Sequence, residues 1–114
     1  TYVVNHTFPA PGRYTISYKE FNRNGEILNM ANSVNTPFYV ECEILIDPGL
    51  AQNSTPVFQV PPLDNGNRNA VYTHAAGAWD ADGDSLVYRL VEPKQDTGVS
   101  VNDYRQPNDP IYRG

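Results

Sequence analysis

The clearest pattern along the chain is two-residue alternation of apolar and polar side chains. Alternation places successive residues on opposite faces of an extended strand. Residues 38–46 show it best: Phe38, Val40, Cys42, Ile44 and Ile46 share one face, while Tyr39, Glu41, Glu43 and Leu45 take the other. Residues 13–18 repeat it, with Tyr14, Ile16 and Tyr18 set against Arg13, Thr15 and Ser17. A third instance runs through Leu86, Tyr88 and Leu90 in residues 86–91. Shorter strands are expected at 55–60 and 70–74, with further candidates at 99–101 and 111–112. The stretch 27–30 reads either as a short strand or as a loop crossing. On this pattern Cys42 packs into a core, Trp79 plugs the space between sheets, and Tyr14 or Tyr18 bonds its hydroxyl to backbone at a corner.

Breakers separate these runs. Pro9, Pro11 and Gly12 make a turn, Asn24-Gly25 fits a tight reversal, and residues 64–67 read as another turn. Pro or Gly recurs too often for long helices. The chain is therefore expected to be all-β. Residues 47–54 contain Asp47, Pro48, Gly49, Gln52, Asn53 and Ser54, a linker composition, and a module boundary is placed there. About three strands precede it and three or four follow, whereas an immunoglobulin-like β-sandwich uses roughly seven in about 100 residues. Two arrangements satisfy that number. Either residues 1–50 are the C-terminal part of one β module and 51–114 the N-terminal part of the next, or all strands form one unit. The first arrangement makes the chain a fragment of a longer repeat protein.

Composition narrows the function classes. The chain has 114 residues, 8 Tyr, 10 Pro, 8 Gly and a single cysteine, so no internal disulfide can form. Net charge is −5, which argues against nucleic acid, because phosphate binding needs clustered Lys and Arg. No run approaches the roughly 20 apolar residues of a membrane span, and no membrane insertion is expected.

Asp80, Asp82 and Asp84 are the sharpest chemical feature. Three carboxylates at alternate positions, with Gly83 allowing a tight turn, can converge on a hard cation, and Ca²⁺ takes six to eight oxygen ligands. The loop is not an EF-hand, since position 12 from Asp80 is Val91 and the glycine falls fourth. The competing reading is an acidic turn whose Asp side chains cap backbone amides. His6 and His74 lack companion ligands, the serines lie in no nucleophile-elbow pattern, and nothing singles out two of the thirteen acids as a catalytic pair. Tyr39, Trp79, Tyr104 and Tyr112 could form a sugar-stacking platform, against the plainer reading of core aromatics.

Three stretches carry a family resemblance. His6, Phe8, Pro9, Pro11 and Gly12, followed by the Tyr14-Thr15-Ile16-Ser17 strand, resemble the late strands of polycystic-kidney-disease-type (PKD) domains. Asn53, Pro56 and Phe58, followed by Trp79, Asp80, Asp82, Gly83, Asp84, Leu86 and Tyr88, resemble cadherin-like repeats. Residues 18–39 look like segments of gliding-motility-associated surface proteins of Bacteroidetes. The resemblance implies immunoglobulin-like sandwich modules, export by type 9 secretion, and an extracellular or outer-membrane-associated position. It also implies that Asn53 joins Asp80, Asp82 and Asp84 around Ca²⁺. The expected function is a non-enzymatic adhesin or scaffold segment. Its partners would be neighbouring modules of the same chain, surface glycans or other surface proteins. Two rivals are an accessory carbohydrate-binding module of a secreted enzyme, and a surface subunit held by the secretion or motility machinery.

Overall fold

The computed structural model describes residues 3–50, 53–61, 65–67 and 70–112. These residues are β-rich, with 26% in strands and 5% helical, as the alternation predicts. Part of the turn expected at 64–67 and part of the linker at 47–54 lie outside the described residues. The chain divides into two compact units, residues 1–46 with 90–114, and residues 47–89.

The first unit is built on one long ribbon. Strands β1 (Gly12–Glu20) and β2 (Phe38–Ile46) pair antiparallel over their whole length, with Gly12 opposite Ile46 and Glu20 opposite Phe38. Opposed residues share a face. The apolar face therefore carries Tyr14, Ile16, Tyr18, Val40, Cys42 and Ile44, and the polar face carries Lys19, Tyr39, Glu41 and Glu43. The turn before β1 is closed by the Tyr14 hydroxyl, which donates to the Ala10 carbonyl at 2.7 Å. The Phe8 ring packs 4.5 Å from Tyr14, and His6 stands edge-on to Phe8. This is the corner contact expected from the sequence.

Residues 21–37 return the chain from β1 to β2 through a 3₁₀ turn at Ser33–Asn35. Arg23 fixes this return by donating Nε to the Pro37 carbonyl at 3.0 Å and Nη2 to the Lys94 carbonyl at 2.7 Å. Asn29 and Arg105 exchange two bonds, Arg105 N–H to the Asn29 carbonyl at 2.9 Å and Asn29 Nδ2 to the Arg105 carbonyl at 3.2 Å. The short hairpin of β3 (Val57–Phe58) and β4 (Ala78–Trp79) belongs to the second unit, described below. In the first unit, β5 (Lys94–Asp96) and β6 (Val99–Ser100) form a further hairpin whose turn places Gly98 at φ +68°.

The β5–β6 hairpin covers the polar face of the ribbon. Lys19 pairs with Asp96 at 2.5 Å, Glu41 with Lys94, and the Tyr39 hydroxyl bonds Thr97 at 3.0 Å and Glu41 at 2.9 Å. Tyr39 and Val101 are the buried apolar residues among those described. The apolar face is open at Ile16 (53% exposed), Tyr18 (52%) and Val40 (48%), while Tyr14 and Ile44 are half-buried. Cys42 is exposed on the same face. The core position expected for it is thus corrected: the alternation was right, but the covered face is the opposite one.

The second unit holds β3 and β4, with Val57 opposite Trp79 and Phe58 opposite Ala78. Trp79 is 57% exposed and plugs no core. Residues 70–74 and 86–91 are not strands, and residues 110–112 form a 3₁₀ turn instead of the strand considered there. Alternation makes a strand possible, but only a partner supplies its hydrogen bonds.

Candidate functional site

The acidic loop follows β4. Asp80 is 7% exposed, and its Oδ1 accepts the N–H groups of Asp82 at 2.9 Å and Asp84 at 3.2 Å. A buried carboxylate needs such donors, because an unpaired buried charge is costly. Gly83 turns the loop at φ +80°, and its N–H reaches the Asp80 carbonyl at 3.4 Å. Asp82 Oδ2 accepts the Ser54 N–H at 2.5 Å, tying the stretch before β3 to the loop after β4. Asp84 and Asn53 are exposed. The structure therefore sets Asp80 and Asp82 against backbone amides. Among the described residues no group of three His, Cys, Asp or Glu side chains is placed to hold a metal ion. In this arrangement Asp80 and Asp82 cap backbone amides.

Of the aromatics considered for a sugar platform, three have described side chains. Tyr39 is buried under the hairpin and offers no open ring face. Trp79 stands in the second unit and Tyr104 is half-buried in the first. For Tyr112 only the backbone is described.

A different site emerges at the end of the β1–β2 ribbon. Tyr18 and Glu20 close β1, and Phe38 opens β2 directly opposite Glu20. Asn22 Nδ2 donates to the Val34 carbonyl at 2.6 Å, which holds residues 22–24 beside the ribbon end. Together Tyr18, Glu20, Asn22, Arg23, Asn24 and Phe38 line a cleft of about 420 Å³. The Arg23 guanidinium lies 5.4 Å from the Phe38 ring centroid, within cation–π range. The Tyr18 hydroxyl bonds the Glu20 carboxylate, which raises the phenol pKa above its ordinary value. Burial holds the Arg23 pKa below its ordinary value. The sequence did not signal this cleft. Its residues come from a strand end, a loop and a strand start, and they meet only because Arg23 and Asn22 bond distant carbonyls.

No helix among the described residues is long and apolar enough to cross a membrane. Compared with known families, curated proteins and solved structures, the chain matches none.

Proposed function

We propose that the chain is a non-enzymatic segment of a large secreted surface protein, acting as an adhesin or scaffold. In this reading residues 1–50 are the C-terminal part of one immunoglobulin-like module and residues 51–114 the N-terminal part of the next, with residues 94–100 of that second part packed back on the β1–β2 ribbon. The link to gliding motility and type 9 secretion follows from the resemblance to PKD-like and cadherin-like repeats. The observation that supports the reading best is the open apolar face of the nine-residue ribbon. A sandwich sheet buries its apolar face against a second sheet about 10 Å away. Neighbouring modules of the same chain would supply that cover over Tyr14, Ile16, Cys42 and Ile44, leaving the ribbon end at Tyr18 and Phe38 open. Antibody labelling of intact cells tests the location and should stain without lysis. Staining only after lysis would sink the surface reading.

Calcium enters this reading as a ligand to be tested. A site present only in the folded state gains roughly 2.7 kcal/mol at a hundredfold excess over its dissociation constant. A rise in melting temperature with Ca²⁺ that Asp82→Ala abolishes would support a cation-stiffened loop. An unchanged melting temperature in Ca²⁺ and in chelator would leave an amide-capped turn.

A further inference from the structure

The cleft at the ribbon end has a composition that selects a ligand class. It offers two half-exposed rings, Tyr18 at 52% and Phe38 at 39% exposure. Around them stand one carboxylate (Glu20), one guanidinium (Arg23) and two carboxamides (Asn22 and Asn24). We propose that this cleft binds a neutral saccharide, a proposal that rests on the reading of the chain as a binding segment and gives that segment its ligand.

A pyranose ring has an apolar C–H face and a girdle of hydroxyls that each donate and accept. An aromatic face suits the first. For the second, carboxylates accept, guanidinium groups donate and carboxamides do both. All are present around one opening. The volume lies within the 300–1,000 Å³ range common for small-ligand sites.

Charge excludes the obvious alternatives. Glu20 and Arg23 balance one another in the cleft wall, so no net charge is offered to an anion or a cation. Arg23 is also partly spent, because Nε and Nη2 already hold the carbonyls of Pro37 and Lys94. Those two bonds fix the guanidinium in place, so its remaining donors are oriented before a ligand arrives. Such preorganisation lowers the cost of binding. Because Arg23 lies against Phe38, Tyr18 is left as the stacking platform, with its hydroxyl held by Glu20.

The test is an NMR titration of the whole chain with neutral trisaccharides of glucose, galactose, mannose and N-acetylglucosamine, and with sialyllactose and inorganic phosphate as anionic probes. At least one neutral probe should shift amides within residues 18–27 and 38–40, with a dissociation constant on the order of 1 mM. Tyr18→Ala should weaken that binding at least about tenfold, while Tyr18→Phe, which keeps the ring, should retain most of it. Asn24→Ala provides a second variant, because its exposed side chain is replaced without disturbing a strand. No shift with any neutral probe, shifts scattered along the chain, or stronger binding of the anionic probes would each overturn the proposal. None of these outcomes touches the cell-labelling result. Saccharide binding by a chain absent from the cell surface would keep the cleft and sink the surface reading.

Discussion

Replacing Tyr39 is the most direct probe of what holds the first unit together. The residue is 6% exposed beneath the β5–β6 hairpin, and its hydroxyl joins Glu41 to Thr97. A buried tyrosine removes about 150 Å² or more from water, and at roughly 25 cal/mol per Å² that stabilises by about 4 kcal/mol. Tyr39→Ala should forfeit about 3 kcal/mol of this, close to what aromatic-to-alanine changes cost in protein cores. Tyr39→Phe keeps the ring and loses only the hydroxyl bonds, for about 1 kcal/mol. Whole domains are stable by only about 5–15 kcal/mol, and this unit buries few apolar side chains, so the alanine variant should open the hairpin from the ribbon at room temperature. Urea unfolding and amide exchange at β1 and β2 measure both effects. Val71→Ala, at a fully exposed position, is the control. If Tyr39→Ala costs no more than Val71→Ala, Tyr39 does not anchor the hairpin and the covered-face argument fails.

Four further outcomes are expected. The hydrogen bond from Lys94 (and, less strongly, that from Tyr39) holds the Glu41 pKa below the ordinary carboxylate value, and Lys19 with the Thr97 amide does the same for Asp96. Their stabilisation is therefore present above the ordinary carboxylate range and lost as pH falls through the depressed folded values; melting temperature against pH should show this acid limb, flattened in Glu41→Gln. Glu41 conversely raises the Lys94 pKa, so that share is complete below the ordinary lysine value and disappears as pH rises through the raised one. Cys42 is exposed and should react with a thiol reagent in the native protein about as fast as an unfolded cysteine does; strong protection would place the apolar face under cover. Gly83→Ala meets open space but a φ of +80°, so it should destabilise the second unit by about 1 kcal/mol, read by thermal unfolding.

Sequence alternation located β1 and β2 nearly to the residue, because both strands obtain partners within one hairpin-like return. It failed at residues 86–91, and the short strand expected at 70–74 did not form either, since neither stretch pairs with a strand among the described residues. Alternation also could not say which face is covered. Apolar Ile16 and Val40 are open while Lys19 and Glu41 hold a hairpin against the other face, because Lys94 and Asp96 arrive from far along the chain with matching charges. The acidic loop was legible as a cluster of carboxylates. What they hold was not, since the Ser54 amide that engages Asp82 is 28 residues away. Arg23 gave no signal at all, as its partners are backbone carbonyls that any residue could present.

The first unit is interrupted in sequence by the second, and this has a consequence for the order of folding. Lys19 and Asp96 stand 77 residues apart, about four times the span that β1 and β2 must close to meet. Closing the longer loop costs about 1.2 kcal/mol more entropy, so the ribbon should form first and wait for its hairpin. During that interval both faces are bare, and the apolar one invites association with other nascent chains. Lys19, Glu41 and Glu43 then act as gatekeepers against aggregation, before two of them become the ion pairs that seat residues 94–96.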